Sequence, residues 1–202
     1  VFHDSIADCV SGVDAVITIV GFPKDVEEVY FDEGNILDSA APGTCLIDMT
    51  TTSPQISKKI YEEGKKKDLP VLDAPVTGGD TGAKAGTLSI MVGGEKDVFE
   101  KCLPLFEAMG EHINYQGDAG SGQYCKLANQ IMIAGTLSGI CEAIAFAREK
   151  GLSLPVMLDS VSKGSANSKQ LENLGEKILS GDYAPGFFMK HFIKDMKLAL
   201  IE

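Results

Sequence analysis

A lysine and two amides share one face of a predicted helix. The segment G-S-G-Q-Y-C-K-L-A-N-Q runs from Gly120 to Gln130 and contains Lys126, Asn129 and Gln130. Residues three and four positions apart lie on the same side of a helix, so we expect these three side chains to come together. A lysine buried there would have a lowered pKa, because burial disfavours the ammonium form, and it could give or take a proton. The same lysine could instead extend its charged end to solvent and take no part in chemistry.

A second group of candidate residues follows a predicted strand. The strand that ends near Val76 leads directly into Thr77, Gly78 and Gly79. Glycine lets the main chain approach a ligand closely, and successive backbone N–H groups can bind a carboxylate or a phosphate. The threonine adds a hydroxyl. These residues predict an anion-binding turn, and an ordinary glycine turn between two strands is the simpler alternative.

A third group of charged residues lies near the last residue of the chain. Lys190, Lys194 and Lys197 are spaced by four and three residues, and Asp195 follows Lys194. This spacing is typical of a solvent-exposed helix face. Taken alone, the run assigns no function.

The elements that must position these residues alternate between strand and helix over residues 1–118. The predicted strands are 14–20, 44–49, 69–76, 87–92 and 112–115, and the predicted helices are 3–11, 24–31, 53–67 and 95–109. Continuously apolar strands separated by helices indicate a largely parallel sheet that is covered on both faces. Ligands bind such sheets at the carboxyl ends of the strands, where we expect the loops that begin at Gly21, Thr50 and Thr77 to converge.

After residue 118 the pattern is helical only. A long helix rich in small residues is predicted over 121–150, with shorter helices over 155–163, 167–180 and 189–202. We therefore expect two domains, 1–118 and 119–202, of which the second is all-α. Residues 127–147 are apolar enough to raise the possibility of a membrane span, but polar residues interrupt the run, which favours a buried helix of a soluble protein.

The composition argues against several classes of partner. Hydrophobic residues make up 44% of the 202 residues and charged residues 23%, as in a globular protein with a sizeable core. The net charge is −11 and Arg148 is the single arginine, which argues against nucleic acid and against an anionic membrane surface. The five cysteines and three histidines are scattered without metal-ligand spacing, so we expect no metal site and a reducing, cytoplasmic location.

Together these segments resemble the β-hydroxyacid dehydrogenase family, which includes 3-hydroxyisobutyrate dehydrogenase, tartronate semialdehyde reductase and, more distantly, 6-phosphogluconate dehydrogenase. The resemblance covers nearly the whole chain, with four motifs in the expected order. It implies an α/β Rossmann-type dinucleotide-binding domain followed by an all-α domain with a long interdomain helix. It also implies NAD or NADP as cofactor, a small hydroxyacid or semialdehyde as substrate, and a homo-oligomer that is a dimer or a tetramer.

The resemblance assigns roles in catalysis and substrate binding. Lys126 is similar to the catalytic lysine, which acts as general acid and base, and Asn129 matches the first amide of the family's amide pair. Gln130 matches the second amide and is expected to help bind the substrate. The segment from Asp73 to Leu88 resembles the substrate-binding signature, with Thr77 where serine is commoner. Residues 77–79 are the expected substrate contacts in it, and Asp195 is also implied to bind the substrate.

The resemblance assigns cofactor binding to a further set of residues. Ile47-Asp48-Met49-Thr50-Thr51 resembles the loop that touches the nicotinamide half of the cofactor, and Thr51 is the expected contact. Phe22 and Pro23 match the Leu-Pro of the preceding loop. Lys194 matches the lysine that lies beside the cofactor and the substrate.

One departure from the family is large. The family opens with a strand, a G-x-G-x-x-G turn and a helix that hold the pyrophosphate, and this motif does not occur in residues 1–202. We therefore expect that the N-terminal part of the nucleotide-binding fold and the helices that follow Asp195 in the family are missing from this sequence. The residues that separate NAD from NADP would lie in that N-terminal part.

Three alternatives to a small β-hydroxyacid substrate stay open. A sugar acid such as 6-phosphogluconate needs additional basic groups for its phosphate, and the single arginine disfavours it. A catalytically silent binding module on the same fold typically lacks the lysine, so Lys126 argues against it. An imine-reducing relative is disfavoured on the same ground.

Overall fold

The computed structural model describes residues 1–184 and 186–202, which form two compact units. The first unit comprises Val1–Ala128 together with Met189–Glu202, and the second comprises Asn129–Phe188. The domain boundary between residues 118 and 119 stays a prediction.

The first unit is built on a sheet of six strands. The strands are β1 (Ala15–Thr18), β2 (Cys45–Asp48), β3 (Val71–Asp73), β4 (Val76–Thr77), β5 (Leu88–Gly94) and β6 (Gly110–Gly117). The helices of the chain are α1 (Ile6–Val10), α2 (Pro23–Phe31), α3 (Ile36–Ser39), α4 (Pro54–Lys66), α5 (Gly79–Ala85), α6 (Lys96–Glu107), α7 (Ser121–Glu149), α8 (Leu154–Val161), α9 (Lys169–Ser180) and α10 (Met189–Ile201). The first unit contains α1 to α6, the start of α7, and α10.

The sheet is mainly parallel, which confirms the predicted fold class. β1, β2 and β3 pair in parallel, and β5 pairs in parallel with β6. β5 is antiparallel to β3 and β4. The single strand predicted over 69–76 is broken at Ala74 and Pro75, because proline has no N–H to donate to a ladder. The helices α3 and α5 are additional to those that the sequence predicts.

Two hydrophobic clusters cover the two faces of the sheet. Successive residues of a strand point to opposite faces, so Leu46 packs with α2 and α4 while its neighbour Ile47 packs with α6. Both side chains are fully buried. Each such burial stabilises the fold by about 1.5–3 kcal/mol. Because β2 is covered on both faces, consecutive residues such as Leu46 and Ile47 are both apolar.

The second unit is helical. Its core contains Ile140 and Ile144 of α7 and Leu171 of α9, with side chains of α8 packed around them. By length and composition alone α7 could cross a membrane, and 22% of its most apolar window is buried. A core helix of a soluble protein passes the same test, so the assignment of α7 to a soluble protein stays a prediction.

The first turn of α7 is pressed against the ends of β3 and β5. A Cβ added to Gly122 would lie 2.7 Å from the carbonyl oxygen of Asp73 and 2.8 Å from its Oδ2 atom, and would also meet the carbonyl oxygen of Met91. These distances are shorter than any normal Cβ contact. Only glycine therefore lets the helix begin so close to the sheet.

We predict that Gly122→Ala lowers the free energy of unfolding by about 2–3 kcal/mol, because the methyl group overlaps backbone atoms that cannot move aside. Gly135→Ala, on the same helix, is the matched control. A Cβ at Gly135 meets no atom within 4 Å, so this change should raise the stability by up to about 1 kcal/mol through helix propensity. Urea unfolding followed by circular dichroism measures both, and equal stability of the two variants would contradict the proposed crowding.

Candidate active site

The carboxylate of Asp73 anchors the helix that carries Lys126. Asp73 is the last residue of β3 and is buried. Its Oδ1 atom accepts a hydrogen bond from the backbone N–H of Gly120 at 2.7 Å, and its Oδ2 atom accepts one from Gln123 at 2.9 Å. Burial raises the pKa of Asp73, and these hydrogen bonds oppose the rise. The first N–H groups of α7 are thus satisfied by a side chain of the sheet.

The side chain of Gln123 joins the same helix to the loop Thr50–Thr52 after β2. Gln123 is completely buried. Its Oε1 atom accepts a hydrogen bond from the backbone N–H of Thr52 at 3.0 Å, and its Nε2 atom donates one to the carbonyl oxygen of Thr50 at 2.8 Å. Sequence reasoning singled out neither Gln123 nor Asp73 as a functional residue. The available signal was the position of Gln123 three residues before Lys126 and of Asp73 at a strand end.

Lys126 lies in the second turn of α7 and is buried, with 7% of its surface exposed. The alternative in which its charged end reaches solvent therefore does not hold. Its pKa is lowered to about 8, mainly because burial disfavours the ammonium form. The charge of Lys194 lowers the pKa further, whereas the charge of Asp195 opposes the shift. Near neutral pH this amine can both hold and release a proton.

Helix α10 places Lys194 and Asp195 beside Lys126. The Nζ atom of Lys194 lies 3.2 Å from Oδ1 of Asp195, and their side chains are 11% and 1% exposed. The same Nζ atom donates a hydrogen bond to the carbonyl oxygen of Thr51. A solvent-exposed helix face, which the spacing alone favours, is therefore wrong for Lys194 and Asp195. Lys194 and Asp195 are close enough to Lys126 for their charges to act on its pKa, and Lys194 also binds the backbone of Thr51.

A buried hydrogen-bond network at the ends of β1 and β2 holds the start of the Thr50–Thr52 loop. Asp48, the last residue of β2, accepts hydrogen bonds at Oδ1 from the Thr18 hydroxyl at 3.0 Å and from the backbone N–H of Thr50 at 3.1 Å. The Thr18 oxygen is also 2.9 Å from the hydroxyl of Tyr30, and the Thr50 hydroxyl accepts a hydrogen bond from Val20 N–H at 2.9 Å. Burial raises the pKa of Asp48 to about 6.

Phe22 and Pro23 lie at the neighbouring strand end, after β1. Pro23 is the first residue of α2, and the Phe22 ring packs on the imidazole of His191 with centroids 5.0 Å apart. A Cβ on Gly21 would lie 3.7 Å from Cε1 of the same histidine. His191 of α10 was not among the sequence-predicted site residues. It borders the loop that the resemblance assigns to the cofactor.

The turn Thr77–Gly79 has a backbone conformation that favours glycine at two positions. Gly78 has φ 132° and Gly79 has φ 65°, and both values lie in the region that favours glycine. A Cβ on Gly79 would meet no atom within 4 Å, so the main chain is open to a ligand there. Thr77 ends β4 and pairs with Ser89. The structure packs Gly78 against Leu88 rather than against Lys126.

The two amides that follow Lys126 along α7 belong to the second unit. The Nδ2 atom of Asn129 donates a hydrogen bond to Oε1 of Gln130 at 2.8 Å. Gln130 is buried, and Asn129 is exposed by a larger fraction.

Among residues 1–184 and 186–202, no three His, Cys, Asp or Glu side chains are grouped closely enough to hold a metal ion. That the protein builds no metal site stays a prediction.

Two family profiles match the chain. The NAD binding domain of 6-phosphogluconate dehydrogenase matches residues 1–117, and the NAD-binding domain of NADP-dependent 3-hydroxyisobutyrate dehydrogenase matches residues 120–202. The uncharacterised oxidoreductase YkwC of Bacillus subtilis is 52% identical over 202 residues, which are all of this chain and 70% of YkwC.

Further relatives carry names that describe an activity. The 2-hydroxy-3-oxopropionate reductase of Escherichia coli is 38% identical over 93% of this chain and 64% of its own length. A solved structure of 3-hydroxyisobutyrate dehydrogenase of Mycobacterium tuberculosis with L-serine superimposes with a TM-score of 0.88. It is 30% identical, and the match covers 98% of this chain and 70% of that chain. The chain thus spans roughly two thirds of the length of these proteins.

We predict that the wild-type protein loses stability relative to the Asp48→Asn variant as the pH rises from 4 to 7. The folded protein raises the pKa of Asp48 from 3.8 to about 6, so ionisation above the unfolded pKa favours unfolding. Between pH 4 and pH 7, the unfolding free energy of the wild type should fall by about 2 kcal/mol relative to that of Asp48→Asn. Urea unfolding at several pH values measures it, with the exposed Asp97→Asn as control. A difference that is constant with pH would contradict the prediction.

Proposed function

Because the chain belongs to the β-hydroxyacid dehydrogenase family, we propose that the protein interconverts a small β-hydroxyacid and its semialdehyde with NAD or NADP. The observation that carries this proposal is the buried amine of Lys126. Its pKa of about 8 and its proximity to Lys194 and Asp195 suit a group that exchanges a proton with a hydroxyl or carbonyl oxygen.

The loops after β1 and β2 fit the nicotinamide end of the cofactor. The structure puts the half-buried side chains of Thr51 and Phe22 at these strand ends, and Lys194 holds the backbone of Thr51. A hydroxyl can both donate to and accept from a carboxamide, and an aromatic ring can pack on the nicotinamide. Thr51, Phe22, Pro23 and Lys194 would hold that end. When bound, the nicotinamide supplies or accepts the hydride.

We assign the substrate carboxylate to the turn Thr77–Gly79. Its open main chain and the Thr77 hydroxyl can offer hydrogen bonds to a carboxylate. Asp195 is assigned to the substrate as well, because it lies beside Lys126 and Lys194. Binding both ends of a short acid would orient its oxygenated carbon. Orientation of this kind can lower the activation barrier by up to about 7–11 kcal/mol.

Lys126 is assigned the proton transfer. In the oxidation direction its neutral amine takes the proton of the substrate hydroxyl, and in the reduction direction its ammonium returns a proton to the carbonyl oxygen. Asn129 is assigned by family resemblance to orient that oxygen, together with Gln130. A pKa near the working pH suits both directions, because each form of the lysine is then populated.

We also propose that the protein forms a homo-oligomer in the cytoplasm. Exposed apolar side chains on α7, among them Ile131 and Met132, support self-association, because water contact of such surface is unfavourable. The names of the relatives support a small-molecule substrate.

We predict that Lys126→Met lowers kcat for the small-acid substrate by about 10²–10⁴-fold, because the proton no longer has a carrier. The affinity for NAD or NADP, measured by fluorescence titration of the protein in its complete natural form, should stay unchanged. The wild-type rate of oxidation should rise with pH around a midpoint near 8, as Lys126 becomes neutral, and this rise should vanish in the variant. Lys101→Met, exposed on α6, is the control. Retained turnover in Lys126→Met would refute the assignment.

We predict turnover with short acids whose oxygen lies on the carbon β to the carboxylate. The panel contains 3-hydroxyisobutyrate, L-serine and 2-hydroxy-3-oxopropionate, with 6-phosphogluconate as the alternative, and the readout is absorbance of the reduced nicotinamide. The best short acid should exceed 6-phosphogluconate by at least about 100-fold in kcat/KM. A phosphate that finds no partner in the site loses its hydration without compensation, which costs several kcal/mol. Preference for 6-phosphogluconate would replace the proposed substrate class. A complete lack of turnover, despite cofactor binding, would favour a binding module.

A further inference from the structure

We propose that Gln123 is a positioning residue that holds Lys126 and the Thr50–Thr52 loop in a fixed relation to each other. The inference rests on the proposed function, in which Lys126 transfers the proton and Thr51 meets the nicotinamide. It adds a residue that touches neither substrate nor cofactor. Its action is instead to connect the helix of the proton carrier with the loop of the cofactor.

The amide of Gln123 binds the two residues on either side of Thr51. It accepts from the N–H of Thr52 and donates to the carbonyl oxygen of Thr50, at 3.0 Å and 2.8 Å. All of these groups are buried, with Gln123, Thr50 and Thr52 each at most 1% exposed. Water therefore cannot replace the amide at low cost, because a buried group that loses its partner stays unpaired.

The chemistry of the two partners requires an amide. One partner is a donor and the other an acceptor, and the Gln123 side chain offers one group of each kind at the required reach. Glutamate has the same length but only accepts when ionised, and methionine has nearly the same shape but forms neither strong bond. These two residues are therefore informative replacements, because they remove one hydrogen bond or both.

Other side chains hold two further backbone groups of the loop. Lys194 donates to the carbonyl oxygen of Thr51, and Asp48 accepts from the N–H of Thr50. The loop is thus bound by groups from α7, from α10 and from the end of β2. The bonds of Gln123 come from the helix that carries Lys126.

Gln123 and Lys126 are three residues apart on α7, so they lie on the same side of the helix. The backbone N–H of Gln123 is in turn held by Asp73 at 2.9 Å. A shift of the Gln123 side chain would therefore be transmitted over one helical turn to Lys126. Misplacement of a catalytic group by about 1 Å can lower a rate by about 100-fold, so this connection matters for turnover.

Amide hydrogen exchange tests the connection without any substrate. In Gln123→Met, the N–H of Thr52 should exchange about tenfold faster than in the wild type, because its acceptor is gone. The N–H of Thr50 should stay protected, because Asp48 still accepts from it. In Gln123→Glu the N–H of Thr52 should keep its protection, since an acceptor remains. Val98→Ala is the control for general destabilisation, because it removes buried apolar contacts of α6 instead.

Two further measurements separate positioning from simple stability. The first is the rate of Lys126 acetylation by acetic anhydride as a function of pH. Its midpoint should lie near 8 in the wild type. In Gln123→Met it should move towards the value of an exposed lysine, because a loosened helix admits water. Where turnover is measurable, kcat should fall about 10-fold to 100-fold, with a weaker affinity for the cofactor. Val98→Ala should change none of these values.

Two results would overturn the proposal. The first is a Thr52 amide that exchanges no faster in Gln123→Met than in Val98→Ala at equal global stability. The second is an acetylation midpoint of Lys126 that does not move in Gln123→Met. Both readouts are independent of catalysis, so they decide the role of Gln123 even if no substrate of the panel is turned over. Failure of the proposed function and failure of this inference are therefore distinguishable.

Discussion

The carboxylate of Asp73 is the interaction on which the site depends. It stands at the end of β3 and accepts hydrogen bonds from the first N–H groups of α7, and so joins the sheet to the helix of Lys126. Close approach is possible because Gly122 has no side chain to collide with the strand ends. Burying a carboxylate is unfavourable unless it is well bonded. Here the N–H groups at a helix start provide that compensation.

Burial also determines the chemistry available to the lysine. Lys126 is 7% exposed, and the low local dielectric brings its pKa to about 8. Lys194 and Asp195 act on it with opposite sign, because one is a cation and the other an anion. A buried pair of this kind adds little to stability. Its value lies in placing a second cation against the Thr50–Thr52 loop while limiting the shift of the lysine pKa.

The loop itself shows how an irregular segment can be made rigid. Its backbone groups bond to Gln123, Lys194 and Asp48 rather than to a neighbouring strand. Loops that carry function are often mobile, and a scaffold must restrain them for a cofactor to be held in one orientation. In this protein the restraint comes from Asp48, which lies just before the loop, and from Gln123 and Lys194, which lie 71 and 143 residues away from their partners in the chain.

The amino-acid sequence by itself determined the alternation of strands and helices, the family and the set of motif residues, because periodicity, glycine turns and motif spacing are local properties. It could not decide whether Lys126 and Lys194 are buried or exposed, since the same helical spacing fits both. It also did not identify Gln123, Asp73 or His191 as site residues. Their partners lie 47 or more residues away in the chain, and only tertiary packing brings such groups within hydrogen-bond or ring-contact distance.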